Sequence, residues 1–198
     1  MPYRRRRRPM PRKRRPRKRY PKQSVSRVRN VSGFPDSMHT TLKYSSVLTP
    51  TPTIALGRYQ FRGNSVFDPN LTGTGAQPMF FDQYAAVYER YLVSASSFQV
   101  IATNPAASST WIGILPTGSS SPVVASLSAL HEQAYVKTRL LNPTPSDGSS
   151  GSLYKNITTT RVRGESIIDD DFSAAVTTNP SREWYWNFYW ASIDGTNV

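Results

Sequence analysis

The chain has 198 residues, of which 25 are Lys or Arg and 12 are Asp or Glu, so its formal net charge is +13. This length accommodates one domain with a tail and excludes two large domains. The chain has no cysteine and only two histidines, His39 and His131. A disulfide scaffold, a thiolate zinc site and a cysteine nucleophile are therefore excluded.

The positive charge is concentrated in the first 30 residues, which hold 15 Lys and Arg and no acid. The remaining 10 basic and 12 acidic residues give residues 31–198 a net charge of −2. The first segment has too few apolar groups to offset its chain entropy, and its prolines disfavour a helix. We predict that residues 1–33 form a disordered arm and that residues 34–198 form the folded domain.

The arm is predicted to bind nucleic acid. Guanidinium groups contact phosphate oxygens with two donors and stack on bases, which suits single-stranded nucleic acid. Nuclear import is a second use of the same charges, because a few clustered basic residues form an import signal. The predicted nucleic-acid-binding residues are Arg4, Arg5, Arg6, Arg7, Arg8, Arg12, Lys13, Arg14, Arg15, Arg17, Lys18, Arg19, Lys22, Arg27 and Arg29.

The rest of the sequence predicts a β-rich fold. It is rich in Ser, Thr, Val, Ile, Tyr and Phe and is interrupted by Pro and Gly, as expected for strands joined by loops. Seven or eight strands of this kind predict an all-β fold, an antiparallel sandwich or jelly roll. The predicted strands are 40–48, 54–63, 91–103, 109–115, 135–141, 153–162 and 183–193, with an uncertain eighth at 164–168.

The last predicted strand has the clearest pattern. Trp184, Trp186 and Trp190, three of the four tryptophans, fall on one face of residues 183–193. Burying such rings stabilises a fold strongly, so we predict a central strand. The alternative, an exposed platform for stacking bases, would leave a continuous apolar face in water.

Two short helices are predicted as connections between strands. Apolar residues recur at helical spacing over 80–91, after Pro78, and over 124–130, after Pro122. Residues 92–130 contain no Asp, Glu, Lys or Arg. Their apolar runs are much shorter than the roughly 18 residues of a membrane span, so no membrane insertion is predicted.

The sequence offers little for catalysis. His39 and His131 belong to no serine-hydrolase or zinc pattern, and the GTG at 73–75 lacks the lysine of a phosphate-binding loop. The acidic cluster at 169–171 is interpreted as a solvated loop or a contact for basic residues, with a Ca²⁺ or Mg²⁺ site as the alternative. We predict no enzymatic activity, no metal and no cofactor.

Ordered blocks of sequence span most of the chain: FRGNSVFDP at 61–69, GTGAQPM at 73–79, LSALHEQ at 127–133, DDDF at 169–172, and NP at 179–180 ahead of WYW at 184–186. With the Arg-rich start, they resemble the capsid proteins of circular single-stranded DNA viruses of the circovirus and cyclovirus kind. The resemblance implies a virion protein that folds as a single antiparallel jelly-roll sandwich, sixty copies of which form an icosahedral shell. The partners it implies are other copies of the chain, viral single-stranded DNA and the nuclear import machinery, with the host nucleus as a location and the receptor unknown.

Other residues have open interpretations. Arg58 and Arg62, on one predicted strand, are candidate inner-surface contacts, with a surface ion pair as the alternative. The loops at 63–78 and 116–122 are candidate contacts between subunits.

Two other functions remain: a cellular RNA-binding protein of the ribosomal type, which would carry basic residues on its folded part, and the coat of an RNA virus. The arm alone does not exclude the latter, because phosphate contacts do not read the 2′-hydroxyl.

Overall fold

The computed structural model describes residues 33–51, 55–122, 124–144, 146–168 and 170–193. The chain divides into two compact units, Met1–Thr40 and Thr41–Val198. The described part of the first unit, residues 33–40, contains no helix or strand. The arm predicted for residues 1–33 lies outside the described residues except for Gly33, so its disorder stays a prediction.

The second unit is built mainly from β-strands. The described residues form three α-helices of one turn or little more, and none of these is long and apolar enough to cross a membrane. The strands are β1 (Gly57–Arg62), β2 (Arg90–Leu92), β3 (Ala95–Thr103), β4 (Thr110–Thr117), β5 (Lys137–Leu141), β6 (Ser150–Thr158), β7 (Ser173–Ala175) and β8 (Tyr185–Ser192). The helices are α1 (Phe81–Ala85), α2 (Leu127–His131) and α3 (Thr159–Arg163), with a 3₁₀ turn at Asp170–Phe172.

All strand pairings among the described residues are antiparallel. One sheet has the order β1–β8–β4–β5, while β2 pairs with β7 and β3 pairs with β6. The last strand therefore lies between the first and the fourth, so neighbours in the sheet come from distant parts of the chain, as in jelly-roll sandwiches. The predicted all-β, jelly-roll-like fold is confirmed.

Strand β8 forms the centre of this fold, as predicted. It is hydrogen-bonded to β1 on one side and to β4 on the other. Trp184 and Trp186, which are 0% and 2% exposed, pack with Phe61 and Ile157 in one core cluster. On the opposite face of β8, the buried Tyr189 packs against α2. Both faces of the strand are covered, so it contributes no aromatic platform to solvent.

A residue without a side chain is required at Gly63, directly after β1. A Cβ atom on Gly63 would lie 2.3 Å from the indole ring of Trp184, closer than any real contact. The Gly63 N–H also donates to the Trp184 carbonyl oxygen at 2.7 Å. Glycine therefore lets the chain leave β1 directly beside the most buried tryptophan.

Two predicted strands are wrong. Residues 40–48 form no strand; Tyr44 and Leu48 instead pack on the core from an irregular segment. Residues 164–168 are also not a strand, because Gly164 has a left-handed backbone (φ 73°) that ends α3 and turns the chain. The sequence analysis missed β7, which is only three residues long.

Other boundaries shift because of local capping. The predicted strand 91–103 is divided into β2 and β3, and the predicted strand 153–162 ends at Thr158. The Thr158 side chain accepts a hydrogen bond from the Arg161 N–H and so starts α3. Ser126 caps α2 in the same way, through the Ala129 N–H. The helix predicted over 80–91 is shortened to α1.

Candidate nucleic-acid interface

The structure places two of the predicted site residues on one strand face. Arg58 and Arg62 both lie on β1, with Gln60 between them, and side chains two residues apart in a strand share a face. In the antiparallel register, Arg58 faces Tyr189 and Arg62 faces Tyr185 of β8. The predicted nucleic-acid-binding residues of the arm lie outside the described residues.

Arg62 is held by two carboxylates. Its Nη1 lies 2.8 Å from Asp68 Oδ2, and its Nε lies 2.7 Å from Glu183 Oε1. The same Nη1 lies 3.1 Å from the Asp68 carbonyl oxygen. The three side chains are only 14%, 23% and 18% exposed. Arg62 thus ties the loop after β1 to the residues just before β8 through a mostly buried ion pair, rather than the surface ion pair named as the alternative. Its contact with nucleic acid stays a prediction.

Tyr185 completes this group. Its hydroxyl donates to the other oxygen of Glu183. Burial, followed by the Glu183 carboxylate, raises the pKa of Tyr185 to about 12. We call Arg62, Asp68, Glu183 and Tyr185 the carboxylate clamp. Because each charged group in the clamp has a partner within it, its chemistry is structural.

The loop after β1 is fixed by further buried hydrogen bonds. Asn64 is fully buried; its amide donates to the Arg182 carbonyl oxygen at 2.9 Å, and its oxygen accepts from the Trp184 N–H at 3.0 Å. Ser65 donates to Asn179 Oδ1 at 2.6 Å. The block at 61–69 therefore forms the support for β8.

Arg58 has a different environment. Its side chain is exposed and borders a 220 Å³ cavity together with Leu71 and Thr72. Among the described residues, no carboxylate lies within ion-pairing distance of it. Burial raises the pKa of the facing Tyr189, and Arg58 lowers it. Arg58 thus has no described carboxylate partner and lies close to the Tyr189 hydroxyl. Its role as an inner-surface contact stays a prediction.

The loop at 116–122 covers Gln60, which lies between Arg58 and Arg62 on their face of β1. Gln60 donates to Asn187 Oδ1 at 2.7 Å and to the Ser120 carbonyl oxygen at 2.9 Å. Asn187, which is fully buried, donates to the Thr117 hydroxyl at 2.8 Å. The loop is also held from outside the sheet, because Arg163 donates to the Gly118 carbonyl oxygen at 2.7 Å. Its role in subunit contacts stays a prediction.

The structure gathers a second group of cations that the sequence analysis did not find. Around the ring of Tyr135, Lys155 Nζ lies 5.5 Å and Arg161 Cζ lies 5.1 Å from the ring centroid. Lys137 lies next to them and donates to the Tyr154 carbonyl oxygen at 3.0 Å. We call Tyr135, Lys137, Lys155 and Arg161 the basic corner.

The basic corner combines three elements: the turn before β5 with β5 itself, β6, and α3. Its members are separated by up to 26 positions in the chain, so no local motif signals it. Tyr135 has a left-handed backbone (φ 67°), which is uncommon for a residue other than glycine and gives the ring its direction. The ring is 41% exposed, so the corner is open to solvent.

The positive charges of the basic corner are not balanced by described carboxylates nearby. No described carboxylate lies within ion-pairing distance of Lys137, Lys155 or Arg161. Partial burial, followed by the charges of Lys137 and Arg161, lowers the pKa of Lys155. The like charges are held close together by the ring of Tyr135, since an aromatic face attracts cations.

The acidic cluster at 169–171 is described only in part. Asp171 Oδ2 lies 3.2 Å from Arg182 Nε, and Asp170 lies 3.9 Å from Arg90. These two side chains therefore contact basic residues, one of the interpretations made from sequence. Within the described ranges, no group of three or more His, Cys, Asp or Glu side chains is arranged to hold a metal ion.

The chain matches no protein-family profile and no curated protein. A solved chain described as Desmodium yellow mottle tymovirus is similar to it, with a TM-score of 0.34 and 11% sequence identity. The similarity covers 81% of this chain and 89% of that chain. At this TM-score the likeness supports no argument on family or function.

Proposed function

We propose that this chain is a viral capsid protein that assembles into an icosahedral shell of sixty copies and packages circular single-stranded DNA through its Arg-rich arm. The observation that carries the proposal is the division of charge, with 15 basic residues and no acid in residues 1–30 and a net −2 in the rest. Arms of this charge repel one another until packaged phosphates neutralise them, which couples assembly to packaging.

The surface of the folded unit supports self-association. Strand β3 exposes every second side chain, and the partner strand β6 does the same. Their outward side chains are uncharged and include Ile101, which is 79% exposed, and Tyr154, which is 52% exposed. Copies of the chain can cover this face without removing charges from water, which favours protein contacts.

The proposal includes the locations that such a protein needs. The arm would serve as a nuclear import signal before assembly, which places the chain in the host nucleus and then in the virion. It includes no catalytic activity, because neither histidine belongs to a catalytic pattern in the sequence.

A cellular RNA-binding protein of the ribosomal type is the competing function, and one observation favours it. Such a protein would have basic residues on its folded part, and the basic corner supplies them. An RNA-virus coat is a variant of the proposed function, with a different nucleic acid in the shell. Assembly and nucleic-acid preference therefore have to be measured separately.

Sedimentation velocity of the full-length protein, recorded at 260 and 280 nm, tests assembly. Sixty copies of a 22.2 kDa chain give a particle of about 1.3 MDa. We expect this species, with excess absorbance at 260 nm, after addition of circular single-stranded DNA at low salt. Single-stranded RNA of equal length gives the comparison. A protein that binds DNA but stays near 22 kDa at every salt concentration would contradict the capsid proposal.

The control is a full-length variant in which the arginines of residues 1–30 are replaced by glutamine. It keeps the folded unit and removes most of the arm's charge. We expect it to lose both the excess absorbance at 260 nm and the DNA-dependent particle. A variant that still forms DNA-filled particles would show that the arm is not the packaging element.

A further inference from the structure

We infer that the basic corner is a second nucleic-acid contact, in which Lys155 and Arg161, positioned by the ring of Tyr135, bind the phosphates of a single strand that the arm has captured. This inference rests on the proposed function, because it assumes that the arm brings a strand to the folded unit. It adds a site on the folded unit to the one predicted in the arm.

The cations of the basic corner lack carboxylate partners among the described residues. Lys137, Lys155 and Arg161 converge from different elements without a described carboxylate within ion-pairing distance. Arg62 and Arg182, in contrast, each lie within ion-pairing distance of two described carboxylates. Cations that repel one another in the free protein gain most when an anion binds between them.

The ring of Tyr135 brings two of these cations together. Lys155 Nζ and Arg161 Cζ lie 5.5 and 5.1 Å from one ring centroid, which is within the range of cation–π attraction. The ring therefore holds two long side chains near each other and lowers the entropic cost of binding phosphate. Tyr135 is a positioning residue, since the phosphates would contact the cations.

The arm would raise the affinity of the basic corner for a strand. Two cations at the surface bind a phosphodiester weakly when the strand is free in solution. A strand already bound to the arm is tethered, and tethering raises its effective concentration at a nearby site to the order of millimolar. Within a shell, this arrangement requires the basic corner to face the interior.

Lysine acetylation of the full-length protein tests the inference directly. A water-soluble acetylating ester is applied under single-hit conditions, with and without a thymidine oligonucleotide, and each lysine is quantified by mass spectrometry. Lys43 is exposed and has no described carboxylate partner, so it is the internal control. We expect acetylation of Lys155 to slow about tenfold when the local strand concentration is about ten times the dissociation constant, and that of Lys43 to stay unchanged.

Variants of Tyr135 test its positioning role. Tyr135→Phe keeps the aromatic face, so the oligonucleotide should protect Lys155 as in the natural chain. Tyr135→Leu removes the face, and we expect protection to fall about fivefold because both cation–π contacts are lost. Equal protection in the two variants would show that the ring has no part in binding.

Three outcomes would overturn the nucleic-acid assignment: equal protection of Lys43 and Lys155, no protection of either, or protection of Lys155 by heparin but not by the oligonucleotide. The last outcome would identify a site for sulfated polysaccharide. Sedimentation separates this inference from the capsid proposal. A shell without protection of Lys155 contradicts only the inference, whereas protection without a shell contradicts only the proposed capsid.

Discussion

The carboxylate clamp and the basic corner use similar residues for opposite purposes. In the clamp, Arg62 lies between Asp68 and Glu183 at 2.8 and 2.7 Å, and all three side chains are mostly buried. In the corner, Lys155 and Arg161 lie against the ring of Tyr135 and have no described carboxylate within ion-pairing distance. Arg161 is exposed and Lys155 is half-buried. The comparison indicates that an arginine's role depends on the anions near it, because a paired cation stabilises the fold and an unpaired one can bind a ligand.

The clamp gives the largest expected effect. Replacing Arg62 by Ala leaves Asp68 and Glu183 as mostly buried carboxylates without a cation. Removing one partner of a buried ion pair typically costs several kcal/mol, so we expect the free energy of unfolding to fall by about 3 kcal/mol. Urea unfolding followed by tryptophan fluorescence measures this change.

The matched control is Arg62→Lys, which keeps the charge but not the two-pronged donor geometry. We expect it to recover only part of the lost stability, since one ammonium group cannot replace both Nη1 and Nε. If Arg62→Ala unfolds at the same urea concentration as the natural chain, the clamp is not a structural element and the comparison fails.

The clamp also predicts a pH dependence. The pKa of Tyr185 is raised to about 12 in the folded chain, above its ordinary value of 10.0. Between these values the unfolded chain releases the proton and the folded chain keeps it, so stability is complete below pH 10 and falls as pH rises towards 12. Tyr185→Phe should show a shallower decline of melting temperature over this range. An identical decline in both proteins would mean that Tyr185 does not titrate with folding.

The β8 core was the most predictable part of the molecule. Aromatic residues at every second position, from Trp184 to Trp190, indicate a strand with a strongly apolar face, and such a strand has to lie where other elements cover it. The predicted boundaries, 183–193, are close to those of β8, Tyr185–Ser192. Residues 40–48, also predicted as a strand, form none, because pairing depends on a neighbouring edge that the segment's own sequence does not reveal.

The two cation groups were not predictable in the same way. Arg62 was identified from sequence, but its pairing with Glu183 could not be, because Glu183 is 121 residues away along the chain. The basic corner was missed because Tyr135, Lys155 and Arg161 belong to separate elements. The net charge of −2 over residues 31–198 also gives no sign of the basic corner. Most of the acidic residues that balance its positive charge in this sum lie elsewhere in the chain.

A third cation, Arg182, allows a finer comparison with the clamp. It contacts Glu165 and Asp171, but its side chain is 40% exposed and its partners are 44% and 49% exposed. Exposed ion pairs contribute little because water and salt screen them, so we expect Arg182→Gln to cost about 0.5 kcal/mol. Urea unfolding at low and high salt measures this cost, which should shrink as salt rises. A cost equal to that of Arg62→Ala would show that burial does not distinguish the two sites.

The smallest effect on stability is expected in the basic corner. Lys155→Gln removes a cation that has no described carboxylate partner within ion-pairing distance and that is close to two like charges. We expect the free energy of unfolding to change by no more than about 0.5 kcal/mol. Urea unfolding of Lys155→Gln and of Lys43→Gln should therefore give nearly equal midpoints.

Binding should distinguish these two variants although stability does not. Each phosphate contact on a single strand contributes about 0.7 to the slope of log K against log salt, and the arm alone can supply a slope of up to about −10. Lys155→Gln should reduce the slope by about 0.7, while Lys43→Gln should leave it unchanged. Titrations of a thymidine oligonucleotide over a range of salt concentrations measure both slopes. Equal slopes would mean that the strand does not reach the corner, and that Lys155 is an unpaired cation without a phosphate ligand.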